Sequence, residues 1–219
     1  KNPLSSIKSI AQVMREEEAL SSYDRDLGLI VSEIDRLNRT VSQLLAFSRP
    51  GRADANPVEL GQLLDSITTL FGNEAKERGV TLNIESSEDV TLSGAQGAAL
   101  REAVGNLVLN AMQATESGGE VAIRAELGSG SETQDGAGRN ESLRLIISVT
   151  DTGPGISDEA QGRVFEPFYT TKARGTGLGL AIVQRRAAEL GGEIELTSPV
   201  KAGRGTMFRL TVPLTPAGK

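Results

Sequence analysis

The stretch Asn106-Leu107-Val108-Leu109-Asn110-Ala111 decides how this sequence is read. It lies inside an apolar run predicted to be helical from 100 to 115, so Asn106 and Asn110 project from one face, and Glu102 extends that face by a turn. Asparagine is a middling helix former because its amide competes for backbone groups. Two stacked amides in an apolar helix leave two readings open. They form either a hydrogen-bonded pair against neighbouring elements or a cation site. A carboxamide oxygen is a hard ligand suited to Mg²⁺, which takes one or two protein oxygens and fills its shell with phosphate and water.

Three glycine-rich stretches follow. Asp151-Thr-Gly153-Pro-Gly155-Ile156 comes directly after a predicted strand at 143–149. Its carboxylate suits either an Asx turn or an exocyclic amine, with the glycines admitting a flat ring beside the backbone. Gly175-Thr-Gly177-Leu-Gly179 opens a helix predicted over 178–190. Backbone N–H groups at such a mouth approach phosphate oxygens, and the helix N-terminus favours anions. No strand precedes these glycines and no GxxxxGK[ST] run exists, which excludes the Rossmann and P-loop arrangements. Gly203-Arg-Gly205-Thr206 enters a last strand at 206–212 and reads by itself as a turn.

Around these motifs the periodicity predicts a strand and helix within 58–75, strands at 80–84, 121–127 and 193–197, and a mobile hairpin loop at 128–142. Ahead of them, Leu4, Ile7, Ala11 and Met14 form one apolar stripe; Leu27, Ile30, Ile34, Leu37, Val41, Leu44 and Ser48 form another. Arg49-Pro50-Gly51 ends the second. A helical hairpin with so narrow a seam buries it by pairing with a second copy in a four-helix bundle, or by packing on its own chain. The predicted organisation is α+β: a hairpin over 1–50, a linker over 51–57 and an α/β sandwich over 58–216.

Composition narrows the chemistry. The chain has no His and no Cys, which removes imidazole bases, His-ligated zinc, thiolate sites and disulfides. A net charge of −6 argues against a nucleic-acid surface, and no apolar run approaches the length of a membrane span. What remains is a nucleotide site built without a P-loop.

In order, these motifs resemble the N, G1, F, G2 and last glycine boxes of sensor histidine kinases, the F box being Phe165-Glu-Pro-Phe168-Tyr-Thr-Thr171-Lys172. Lys1-Asn2-Pro-Leu4 resembles the end of the family's H box, and Phe47-Ser-Arg-Pro50 its exit from the second helix. The resemblance implies ATP and Mg²⁺ as cofactors. Asn110 would hold the metal, with Asn106 beside the metal or phosphates. Asp151 would take the adenine amine, Thr206 would support it through water, and Gly153 and Gly155 would line the base pocket. Gly175, Thr176, Gly177, Leu178 and Gly179 would meet the phosphates in a lid over 156–177, with Thr171, Lys172 and Phe168 contributing. Phe165 and Phe168 would anchor that lid. Glu102, Asn106 and Lys172 are the catalytic candidates.

The resemblance places the phospho-accepting His three residues before Lys1, so the chain is expected to begin inside the H box. Asn2 would then occupy the position of an amide that assists dephosphorylation of the partner. Homodimerisation through the hairpin, a response-regulator receiver as partner, a cytoplasmic location and no nucleic-acid or membrane contact complete the expectation. The rival classes are a nucleotide-dependent regulatory module without transfer, and another ATPase or serine kinase of the same fold.

Overall fold

The computed structural model describes residues 3–16, 23–31, 33–34, 37, 56–86, 89–131, 141–172 and 175–214. The chain divides into two units, Lys1–Pro50 and Gly51–Lys219. In the first, α1 (Pro3–Glu16) is followed by α2 (24–31, with 33, 34 and 37 also helical). Ala11, Leu27 and Ile34 are buried, whereas Ile7, Ile10, Val13, Leu29, Ile30 and Leu37 are exposed. Arg15 Nε donates to Asp24 Oδ1 at 2.8 Å, joining the end of α1 to the start of α2. Asn2, Val41, Leu44, Ser48, Arg49-Pro50-Gly51 and most of the 51–57 linker lie outside the described residues.

The second unit begins with β1 (Val58–Glu59), which runs directly into α3 (Leu60–Arg78). That helix ends at Gly79, whose φ of 66° lets its N–H return to carbonyls of the last turn. Then come β2 (Thr81–Ser86), β3 (Thr91–Leu92), α4 (Gly94–Ala114), β4 (Glu120–Ser131), β5 (Glu141–Asp151), α5 (Asp158–Gln161), α6 (Gly179–Glu189), β6 (Glu193–Thr197) and β7 (Thr206–Pro213). Five strands form a mixed sheet in the order β2-β4-β5-β7-β6, with β2 and β4 parallel and the other pairs antiparallel.

Strand alternation gives the sheet one wet and one dry face. Val121, Ile123, Leu145, Ile147, Val149, Phe208 and Leu210 are buried on the dry face. They share one core with Leu64, Ile67, Leu107, Val108 and Val183 of the helices. Each such side chain contributes about 1.5–3 kcal/mol on burial. Across the wet face Glu85, Arg124, Ser148, Arg209 and Glu195 lie in register along one row. The result is the helix-on-sheet sandwich anticipated from the sequence, and it brings the ends of α4 and β5 and the starts of β7 and α6 to one edge.

Two local expectations are corrected. The helix carrying the asparagines starts at Gly94 rather than near 100. Ser93 Oγ caps it by accepting from Gln96 N at 3.3 Å, and its early glycines hide it from propensity. A Cβ at Gly97 would come within 2.2 Å of Val58 Cγ1, so that glycine permits close packing on β1. The predicted 128–142 loop is shorter, because Gly128–Ser131 pairs with Arg144–Glu141 and extends the β4–β5 ladder. The single turn of α5 and the two-residue β3 carry too little periodicity to be seen in sequence. No described helix is long and apolar enough to cross a membrane.

Candidate functional site

Asp151, the last residue of β5, is 5% exposed. Its Oδ1 accepts from Gly153 N at 2.8 Å, so the Asx-turn reading holds, and also from Thr206 N at 3.2 Å across the sheet. Burial pushes its pKa above the ordinary aspartate value, opposed by the two backbone N–H groups and by the charge of Lys172. Gly153 lies against the end of α4, where a Cβ would stand 2.7 Å from the Ala114 carbonyl oxygen. Its own carbonyl accepts from Gly205 N at 2.8 Å. Ser198 Oγ accepts from Ile156 N at 2.8 Å and donates to Gly205 O at 3.1 Å, while Gln161 Nε2 donates to Ile156 O and Ser198 O at 3.0 and 2.9 Å. Ser198 and Gln161 had no sequence signal, because they reach this corner only through folding.

One turn deeper on α4 the amides face the start of α6. A Cβ on Gly179 would lie 3.3 Å from both Asn106 Oδ1 and Asn110 Nδ2, so glycine leaves the helix mouth open beside them. Asn106 Nδ2 donates to Glu102 O of its own helix at 2.8 Å. Lys172 Nζ donates to Asn110 Oδ1 at 3.2 Å and to Gln113 Oε1 at 2.9 Å. Burial lowers the Lys172 pKa; Asp151 opposes that shift and Arg78 adds to it. Gln113 was missed, although it continues the Asn106, Asn110 face at the next helical spacing.

Glu102 is engaged elsewhere. Its Oε2 accepts from Arg186 Nε at 2.6 Å, and Arg186, 3% exposed, also bonds Glu189. The carboxylate therefore joins α4 to α6.

The lid expectation divides between its two phenylalanines. Phe165 packs edge-on against Phe208, with centroids 6.2 Å apart and planes at 81°. Phe168 is instead 65% exposed, with a φ of 68° that side-chain-bearing residues rarely adopt. Its N–H donates to Gly177 O at 2.9 Å. Gly177 has φ 67°, and a Cβ there would sit 2.3 Å from the Phe168 carbonyl carbon. Thr170 Oγ1 accepts from Lys172 N at 3.1 Å and Gly175 N donates to Lys172 O at 3.0 Å, which fixes the backbone that delivers the lysine. Thr176 Oγ1 accepts from Leu178 N at 3.4 Å, Leu178 is buried and Thr171 is exposed.

The fold thus gathers Asn106, Asn110, Lys172 and Gly179 on one side and Asp151, Gly153, Gly155 and Thr206 on the other, linked through Ala114 and the Lys172–Asp151 attraction. An open groove of about 580 Å³ runs along the outer edge of the Asp151 corner, between Glu116–Gly119 and Val200–Gly205. It shares Asp151 and Gly205 with that corner but none of the amide residues. No cluster of acidic ligands for a metal occurs among the described residues. Among the described residues of the site, the side-chain amide oxygens of α4 are the candidates to hold a divalent cation. Asn110 Oδ1 suits it, since that oxygen already faces a cation.

Comparison with known proteins gives two family matches: "Histidine kinase-, DNA gyrase B-, and HSP90-like ATPase" over residues 95–216 and "His Kinase A (phospho-acceptor) domain" over 1–53. The sensor histidine kinase ZraS of Escherichia coli K12 is 34% identical over 215 residues, covering 98% of this chain and 43% of that protein. This chain thus spans less than half the length of that relative. Full-length ShkA, solved with AMPPNP, is 26% identical with a TM-score of 0.71, covering 99% of this chain and 44% of ShkA. The histidine kinase ThkA, solved with the response regulator TrrA, is 25% identical with a TM-score of 0.65, covering 98% of this chain and 58% of the other.

Proposed function

Because this chain belongs to the histidine kinase-, DNA gyrase B- and HSP90-like ATPase family and is a sensor histidine kinase transmitter region, we propose that it binds ATP with Mg²⁺ for phosphoryl transfer to a histidine. The observation that carries the reading is the convergence of Asn110, Lys172 and Gly179 within the electrostatic reach of Asp151. Asp151 would accept from the adenine amine while Gly153 and Gly155 leave room for the ring. Asn110 would hold the cation, which neutralises phosphate charge when bound. The N-terminus of α6 would orient the α- and β-phosphates, and Lys172 the γ-phosphate, which a diphosphate lacks. In transfer, the bond to the γ-phosphorus from the ADP oxygen breaks and a bond from an imidazole nitrogen forms. Positioning and charge neutralisation supply most of the catalysis in such a step.

The exposed Ile7, Ile10, Val13, Leu29 and Ile30 support a bundle formed with a second copy. Relay to an aspartate on a response-regulator receiver follows from the same reading, since ThkA was solved with such a partner.

The chain mixed with labelled ATP, Mg²⁺ and a separate helical hairpin bearing a phospho-accepting histidine should label that hairpin with acid-labile phosphate. Nucleotide binding without any label would leave only a regulatory module. Acid-stable label would identify a serine or threonine kinase of the same fold.

A further inference from the structure

Lys172 occupies an oxygen that a divalent cation would need. Its ammonium bonds Asn110 Oδ1 and Gln113 Oε1 together. Those residues are three apart on α4, so both oxygens face the same side. An ammonium and a divalent ion both seek hard oxygens, and an ammonium lodged at Asn110 repels a second cation approaching the same atom. The lysine is held from behind by Thr170 Oγ1 and Gly175 N at its backbone.

We propose that Lys172 is an internal competitor for the cation ligand Asn110, with Gln113 the positioning residue that holds the ammonium there in the nucleotide-free protein. The inference rests on the nucleotide reading above and adds a regulatory property to it. Asn110 Oδ1 would give up the Lys172 ammonium when it takes a divalent cation with its nucleotide, and so would keep a charged partner in both states. How firmly Gln113 retains the lysine then sets the Mg²⁺ concentration at which nucleotide binds.

The test uses the full chain and a fluorescent methylanthraniloyl-ADP, held below its metal-free dissociation constant while Mg²⁺ is titrated. Lys172→Met should lower the Mg²⁺ midpoint about tenfold, the effect of losing one charge-assisted hydrogen bond. Gln113→Leu should lower it about threefold, and adding it to Lys172→Met should change nothing further, because Gln113 acts only through the lysine. In the nucleotide-free chain, Lys172→Met should also shift the side-chain amide NMR signals of both Asn110 and Gln113. An unchanged or raised midpoint in either variant, additive effects in the pair, or unmoved amide signals would overturn the competition. Asn110→Ala separates this failure from that of the underlying reading. It should abolish Mg²⁺ dependence; a retained dependence would remove Asn110 as the cation's ligand, whereas no binding of the nucleotide by the unsubstituted chain at any Mg²⁺ concentration would remove the nucleotide site itself.

Discussion

Asp151, Gly153 and Thr206 meet through backbone N–H groups in a buried corner, whereas Lys172, Asn110 and Gln113 meet through side chains at a cleft rim. The first arrangement is held by β5 and β7 in register, Asp151 opposite Thr206, and has little freedom. The second depends on a lysine carried by a turn beside the strained Phe168–Gly177 contact. Under the proposed function, recognition of a base would fall to the rigid end and response to ligand to the adaptable end. Strain at functional segments persists only where surrounding structure over-determines it, and here the neighbouring Phe165–Phe208 packing supplies that support.

The harshest way to break the rigid end is Asp151→Asn. It replaces a buried charged acceptor by an amide, and affinity for adenine nucleotides should fall about 100-fold. The fold should remain intact by circular dichroism, and labelled-nucleotide titration reads the loss; wild-type affinity would remove Asp151 from base recognition.

At the adaptable end, Gly177→Ala forces a side chain into φ 67° against the Phe168 backbone. It should cost about 1–3 kcal/mol, confined to the lid. Amide exchange over 163–172 should accelerate and nucleotide affinity should fall about tenfold. Unaltered exchange there would show that Phe168 and Gly177 do not constrain one another.

Acidification sharpens the comparison because stability and binding then move in opposite directions. Burial raises the Asp151 pKa in the folded state. Protonation therefore favours the fold: this stabilising contribution is complete below the unfolded pKa and is lost as pH rises through the folded one. If Asp151 takes the adenine amine as proposed, nucleotide binding needs its ionised carboxylate and should weaken on acidification at a pH above the usual aspartate range. Binding that stays constant down to the range of exposed aspartates would contradict this assignment.

The smallest effect is expected from Glu102→Gln. Its carboxylate bonds Arg186 between α4 and α6, and an amide oxygen can still accept that bond. Phosphotransfer should change by less than about threefold. A hundredfold loss would return Glu102 to the chemistry.

Much of this site was legible because its signals are local. Asn106 and Asn110 share a helix face by spacing alone, and Gly175–Gly179 precede a helix by pattern alone. Gln113 lay within reach of the same reasoning. Arg186 did not, since only the packing of α6 on α4 brings it to Glu102 across 84 residues of chain. The two phenylalanines of the lid motif also look alike in sequence, and burial alone tells Phe165 from Phe168.

By itself the sequence determined the types of the longer elements, the absence of imidazole and thiol chemistry, and the candidate residues for a nucleotide, since periodicity and composition are properties of the linear chain. Tertiary structure alone decided which of those residues meet. Lys172 reaches Asn110, Glu102 turns to Arg186, and Asp151 Oδ1 receives Thr206 N. Each is a long-range contact; Arg186, Asp151 and Thr206 are buried, so their choice of partner follows from packing, while the half-buried Lys172 is delivered to Asn110 by the backbone of its turn.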